Sequence, residues 1–356
     1  MQFRNILVTG GAGFVGSSLA LNLRRDFPDV RVAVLDNLKR RGSEFNLPRL
    51  RSAGVEFFHG DTRSADDIDA VGSFDLLIDC AAEPSVQAGL TGSPRGVFDV
   101  NLNGTINCLE AARRNDAAFL FLSTSRVYPM SAINAIPFEQ TTTRFRWTVS
   151  DTGRGVSSAG ISEEFPLTGA RSYYGASKLA SELIAQEYAA AAGMRVLINR
   201  CGVLTGPWQM GKVDQGVVAL WVLRHHFGQP LKYIGYEGTG LQVRDLLHVD
   251  DLYRLLIAQC SDLRCWDGTV FNVGGGERVS VSLRELTDLC RNVTERRVDV
   301  AAQPETSSVD LRIFLTDSRR VQEAFDWQPE LAPEQIVSDI HLWIRDNETQ
   351  LRSLVL

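Results

Sequence analysis

Short apolar runs alternate with longer amphipathic stretches through the first half of the chain. NILVT (5–9), VRVAVLD (30–36), VEFFHGD (55–61), DLLIDCAA (75–82) and AFLFLST (118–124) have strand length and are rich in Val, Ile, Leu and Phe. Between them, SSLALNLRRDF and GTINCLEAARRN carry apolar residues at helical spacing. Strands separated by helices predict an α/β fold, a doubly wound parallel sheet. The rhythm breaks at 131–172, which carries TTT, DTGRG and SSAG and reads as a long excursion of a functional or mobile kind. A strong helix, YYGASKLASELIAQEYAAAAG, and a strand, RVLINRCGV, follow it.

Gly, Pro and Trp after that strand predict a departure from the sheet into a smaller, mostly C-terminal α/β lobe. QVRDLLHVDDLYRLLIAQC and TVFNVGGG read as a return. The expected division is therefore 1–200 with 241–275 as one unit, and 201–240 with 276–356 as the second.

The chain has 356 residues, 44 % of them hydrophobic and 22 % charged, which is ordinary globular usage with room for a sizeable core. A net charge of −6 gives no reason to expect nucleic acid or a membrane as partner. Six scattered cysteines without a Cys-x-x-Cys pair favour isolated thiols over disulfides or a metal site, and no metal is expected. The N-terminus runs from MQFRN directly into the first strand, and no stretch approaches membrane-spanning length, so a cytoplasmic location is the expectation.

Gly10, Gly13 and Gly16 in VTGGAGFVG follow a strand and open a helix. Such a turn lets the backbone approach a pyrophosphate at a helix N-terminus, the Rossmann-type arrangement. Asp36, twenty residues past Gly16, is placed to accept from a ribose 2′-hydroxyl and would repel a 2′-phosphate, which favours NAD over NADP. Arg40 and Arg41 beside it pull the other way. Asp61 ends the third strand, either to meet an adenine amino group or to cap the next helix.

TGGAGFVG, Asp36, Gly60–Asp61, Cys80–Ala82, NLNGT (101–105), STSRVY, YYGASK and VRDLLHVDD occur in this order along the chain. Together they resemble the extended short-chain dehydrogenase/reductase superfamily, specifically its NAD-dependent nucleotide-sugar epimerases and dehydratases, over essentially the whole chain. The resemblance implies an enzyme with NAD as cofactor, a nucleotide-diphosphate sugar as substrate, and a homodimer or homotetramer paired through helices around 103–114 and 174–191. It also implies a cofactor set of Gly10, Gly13, Phe14, Val15, Gly16, Asp36, Asn37, Asp61, Thr62, Ala81, Ala82, Asn101, Tyr174 and Lys178.

Tyr174 and Lys178 stand one helical turn apart on one face. An ammonium there, helped by a cofactor's positive ring, would lower a phenol toward the working pH and make a base for an alcohol; alone, the pair could equally be a surface stack. By resemblance Thr124 takes the third catalytic place, hydrogen-bonding the hydroxyl that is oxidised. The 4,6-dehydratases of the superfamily carry an Asp-Glu pair directly after this threonine, where Ser125 and Arg126 stand here. Dehydration is therefore disfavoured, and an epimerase, an isomerase of transient oxidation and re-reduction, is expected.

Gln209, Asp214-Gln215-Gly216 and GYEGTG leading into QVRD are similar to the CDP-paratose (CDP-tyvelose) 2-epimerases. Glu83, Ser85, Thr124, Ser125, Arg126, Arg200, Gln209, Asp214, Gln215, Arg244 and Arg312 make up the implied substrate set. Arg244 and Arg312 are the guanidinium candidates for a diphosphate, with ion pairs to Asp245 and Asp317 as the alternative. Trp208, Trp221 and Tyr236 are either pocket or core aromatics. A 4-epimerase acting on a UDP-hexose or UDP-hexuronate is the second reading; a dehydratase and a non-catalytic NAD-binding regulator come after it.

Overall fold

The computed structural model describes residues 1–150, 153–211 and 215–355. Its centre is a seven-stranded, wholly parallel sheet. The strands are β1 (Asn5–Thr9), β2 (Arg31–Asp36), β3 (Glu56–His59), β4 (Leu76–Asp79), β5 (Ala118–Thr124), β6 (Val196–Cys201) and β7 (Asp267–Val273), in the spatial order β3-β2-β1-β4-β5-β6-β7. The central strands β4, β5 and β6 are buried along their whole length, as parallel strands covered on both faces must be. One apolar layer joins Ile6, Val8, Leu19, Leu120 and Phe271 on one face; the other joins Leu7, Leu77, Phe119, Ile198 and Ala185.

Strand order reverses beside β1, so a crevice opens there at the carboxyl ends of the strands. Helix α1 (Phe14–Asp26) starts at that crevice. Helix α2 (Gly104–Arg114) and helix α3 (Tyr173–Ala192) cover the opposite face of the sheet. Ser172 caps α3, its hydroxyl accepting from the Gly175 amide at 3.1 Å, and Gly193 in left-handed backbone ends it.

The smaller lobe packs helix α4 (Val217–Phe227), helix α6 (Leu283–Thr294) and helix α7 (Pro333–Asp346) around Val222, Leu286, Cys290, Ile336 and Ile340. A capping box of Ser282 and Glu285 starts α6. Two expected boundaries shift. Val243–His248 does not rejoin the large sheet but pairs with Val203–Thr205, Ser280–Ser282 and Ile313–Phe314 in a second sheet. Helix α5 (Val249–Ser261) and β7 return, bringing Leu252, Leu255 and Phe271 to the main core, where Leu247 of the second sheet also packs. Conversely, Val321 and Trp327, far along the chain, also pack into that core.

The described part of the excursion is a built segment. Phe138–Gln140 pairs with Phe145–Trp147 and Val156–Ser157 with Gly160–Ile161, over a cluster that includes Tyr128, Ile133, Phe165 and Phe314. Arg144 fastens it to the lobe, donating from Nε to Glu285 Oε1 at 2.8 Å and from Nη1 to Ser280 Oγ at 3.0 Å.

Candidate active site

The turn between β1 and α1 leaves no room for side chains at its glycines. Gly10 has φ of +61°, and a Cβ there would lie 2.9 Å from the Ala81 Cα; one on Gly16 would run into the Gly10 carbonyl. Gly13 begins α1 without a side-chain cap, so the first amides of the helix remain available to an anion. Asp36 closes the turn from β2, accepting from the Ala12 amide at 3.0 Å and the Leu38 amide at 2.8 Å. Burial pushes its carboxyl above the ordinary value, and these amide bonds hold it back.

Asn37 donates to Asp61 at 2.7 Å, and Arg63 also holds Asp61, its hydrogen bonds keeping that carboxyl far below the ordinary range. The cap of the following helix comes from Ser64, not from Asp61. Thr62 is buried against Gly104. These residues fit a dinucleotide: a glycine cradle, an open helix N-terminus and an acceptor at the end of β2.

Asn101 lies fully buried in a π-helical turn, Asp99–Asn103. Its Oδ1 accepts from the Glu83 amide at 2.7 Å, and its Nδ2 donates to the Glu83 carbonyl at 3.2 Å and to Ser177 Oγ at 3.0 Å. It thus ties the loop after β4 to α3. Glu83 and Ser85 belong to that loop, but Ala82, Pro84 and Val86 are the residues that face the cavity.

Thr124, Tyr174 and Lys178 come together at one place. Register puts Thr124 at the end of β5 beside Cys201 at the end of β6, and the first turn of α3 lies across them. Burial pushes the Tyr174 phenol above its ordinary value; the Thr124 hydroxyl beside it and, less, the field of Arg126 lower it again in part. Lys178 is 2 % exposed and sits 4.1 Å over the Phe121 ring. Burial draws its ammonium below the ordinary value against the pull of Asp79. Lys178, one turn along α3, and Arg126 both line the cavity with Tyr174.

A cavity of about 850 Å³ runs from Phe14, Val15 and Cys80 past Thr124, Ser125, Arg126, Tyr174 and Lys178 into the smaller lobe. There it is lined by Gln209, Gln215, Trp221, Arg244, Leu283 and Gln303, among others. Gln209 is held at Leu204 O (2.9 Å) and by Thr205 Oγ1 (3.0 Å), and Gln215 accepts from Arg40. Arg244 reaches the wall with its charge met by Asp310 at 2.7 Å, not by Asp245. Asp214 lies outside the described residues.

Two expected guanidiniums do not reach the cavity. Arg200 alternates with Cys201 on β6, so it points to the α3 face, where Glu182 holds it at 2.8 Å and Tyr128 accepts from it at 3.0 Å. Burial alone would lower its pKa, but the Glu182 carboxylate and the Tyr128 phenol hold it above the ordinary value. Arg312 stacks over Phe138, with 4.0 Å from its guanidinium carbon to the ring, and also faces Phe145 and Tyr236. Trp208 likewise serves packing, between Arg49 and Trp343.

Sequence reasoning missed the stretch 307–310, of which Ser307, Val309 and Asp310 line the cavity; its signal was adjacency to Arg312. It also missed the far wall at Leu231, Lys232 and Gln303, which a parallel strand pair brings together and no local pattern marks.

Residues 6–274 match the family model described as NAD dependent epimerase/dehydratase family. The chain belongs to that family. It is an enzyme of isomerase type, and NAD is its cofactor. Among curated relatives it is 30 % identical over 349 residues to CDP-paratose 2-epimerase of Salmonella typhi, spanning 95 % of this chain and 98 % of that one. It is also 30 % identical over 331 residues to dTDP-glucose 4,6-dehydratase of Streptomyces griseus, spanning 91 % and 89 %. Among solved structures it is similar to UDP-glucose 4-epimerase of Thermus thermophilus in complex with NAD, with a TM-score of 0.75, 26 % identity and coverage of 96 % and 99 %. Among the described residues no helix is long and apolar enough to cross a membrane.

Proposed function

We propose that this family member epimerises a nucleotide-diphosphate sugar at carbon 2, with a CDP-sugar as the first candidate. One observation carries the choice of epimerisation over dehydration. Among the described residues lining the cavity the sole acidic side chain is Asp310, and Arg244 holds it. Water loss needs a carboxyl beside the reacting sugar to supply and remove protons; here Ser125 and Arg126 occupy that wall. The likeness to the Salmonella enzyme over nearly both full lengths supports carbon 2 and CDP.

The chain's own residues divide the work. The glycine turn, the open start of α1 and Asp36 hold the dinucleotide, and Asn101 fixes the loop on its other side. NAD held there would supply the hydride acceptor and donor for the sugar carbon. Thr124 holds the sugar hydroxyl and shares its proton with Tyr174, which removes it and later restores it. A grip on the diphosphate by Arg244 would leave the sugar free to turn between the two transfers. Leu183, 56 % exposed, and Tyr173 on α3 offer apolar surface for pairing two copies through α2 and α3.

Incubation with CDP-, GDP- and UDP-sugars in D₂O, followed by proton NMR, tests this. The expected outcome is inversion of one coupling pattern at carbon 2 without deuterium on carbon. Inversion at carbon 4 selects the 4-epimerase reading. Deuterium at carbon 6 selects dehydration and overturns the proposal.

A further inference from the structure

The chain that follows β2 stays tied to the glycine turn before it turns away. At its start Asp36 accepts from the Ala12 amide at 3.0 Å. Ten residues on, Asn46, 1 % exposed, donates to the Ala12 carbonyl at 2.9 Å. Residues 37–46 thus form a loop anchored at both ends to the turn that would carry the pyrophosphate. The loop lies on the side where Asp36 would hold the adenosine ribose.

The outer side of that loop is fastened to the smaller lobe. Arg40 donates to the Met210 carbonyl at 3.0 Å and to the Gln215 side chain. Gly42, at φ +97°, comes so close to Met210 that a Cβ would stand 2.6 Å from its Cγ. Arg49 donates to Asn46 Oδ1 at 2.6 Å and lies 3.7 Å over the Trp208 ring. Trp208 packs on Trp343 at 5.7 Å and has left-handed backbone, φ +70°. That conformation is strained in a tryptophan and persists only where the surroundings enforce it. Gln209, between Trp208 and Met210, lines the cavity, as does Gln215. One continuous set of contacts therefore joins Ala12 in the glycine turn to two amides on the cavity wall.

We propose that Arg40 and Arg49 form a latch that retains the dinucleotide: they hold the loop after β2 against Trp208 and Met210, and NAD leaves only when that seam opens. Gln209 and Gln215 connect the seam to whatever fills the cavity, so a bound nucleotide tightens it. The inference rests on the epimerase reading, in which both hydride transfers use one dinucleotide and its exchange between them would strand a keto sugar. Arg40, whose place after Asp36 pointed toward a 2′-phosphate, is thereby taken up by the smaller lobe.

The test follows release of NAD from the loaded protein into NAD-free buffer, by desalting at intervals and assaying the NAD that remains. Arg40→Met should release it about ten-fold faster than the wild type, the kinetic equivalent of one hydrogen bond to a charged group. Arg49→Leu should do so by a similar factor. Arg40→Lys, which keeps the charge and loses the fork, should fall between, and it stands in for either variant that fails to fold. Saturating CDP should slow release from the wild type several-fold and leave release from Arg40→Met unchanged. A merely loosened fold would speed release and keep the CDP effect. Unchanged release in both variants, or a CDP effect that survives in Arg40→Met, would overturn the proposal. UDP and GDP run in parallel: slowing by one of them and not by CDP would keep the latch and overturn the choice of base. Because no turnover is read, a protein that latches NAD yet epimerises nothing would sink the functional reading and leave this one standing.

Discussion

Arg200 and Arg126 both belong to the strand ends beneath the catalytic hydroxyls, and both were expected to meet substrate. The floor under α3 holds Arg200 among Glu182, Tyr128 and, one residue further, Asn272, which accepts from Tyr128 at 2.8 Å. Ser123, beside Thr124, also donates to Glu182. Every charge there has its counterpart. On the cavity wall Arg126 has one carbonyl and no carboxylate. A buried charge that is fully met serves the fold, whereas one left unmet at a cavity is available to chemistry. Residue type did not separate the two arginines; their partners do.

The largest effect that would break this contrast concerns stability. Arg200→Met leaves the Glu182 carboxylate buried without its cation, and removal of one member of such a pair costs about 3–5 kcal/mol. Urea denaturation should read that loss, while Arg126→Met should stay within about 1 kcal/mol of the wild type. Equal losses in the two variants would erase the distinction between floor and wall.

How far the chain could be read in advance follows from the same contrast. The glycine turn with Asp36 and the parallel doubly wound sheet come from local pattern and were legible, and the placing of Thr124 with Tyr174 came from the family resemblance. Arg200 was misplaced although a local signal existed: the two-residue alternation of β6 sends it to the face opposite Cys201, which lines the cavity. Arg244 and Asp245 are likewise neighbours on a strand and point to opposite faces, so they cannot pair. Asp310, the actual partner of Arg244, is 66 residues away, and only the packing of the second sheet brings it near. The partnership of a charge is a tertiary fact.

Asp245 supplies the acidic version of the test. It is 1 % exposed, its Oδ1 has no hydrogen-bond partner among the described residues, and its Oδ2 accepts from the Gly276 amide at 3.2 Å. Burial pushes the carboxyl up from 3.8 to about 6. Because the folded state holds the proton more tightly than the unfolded state, this group favours folding most at low pH. That advantage is lost as pH rises from about 3.8 through 6. Between pH 5 and pH 8 the wild type should lose about 1.5 kcal/mol that Asp245→Asn does not lose. Denaturation of both proteins at the two pH values removes any constant cost of the substitution. A parallel pH response of the two would mean that the carboxylate has found a partner, and it would move Asp245 to the satisfied class with Arg200.

Arg312 is the smallest effect and the most direct arbiter between the classes, because its partners are rings and not carboxylates. Its amide donates to Asn134 Oδ1 at 2.9 Å, and its guanidinium lies among Phe138, Phe145 and Tyr236. Cation–π contacts at a half-buried site contribute about 1 kcal/mol. Arg312→Leu should therefore lower stability by about that amount, much of the stacking area being kept, with KM for the nucleotide sugar unchanged. A several-fold rise in KM at unaltered stability would return Arg312 to the diphosphate grip. It would also show that an aromatic cage leaves a guanidinium free to act on substrate, which a carboxylate cage like that of Arg200 does not.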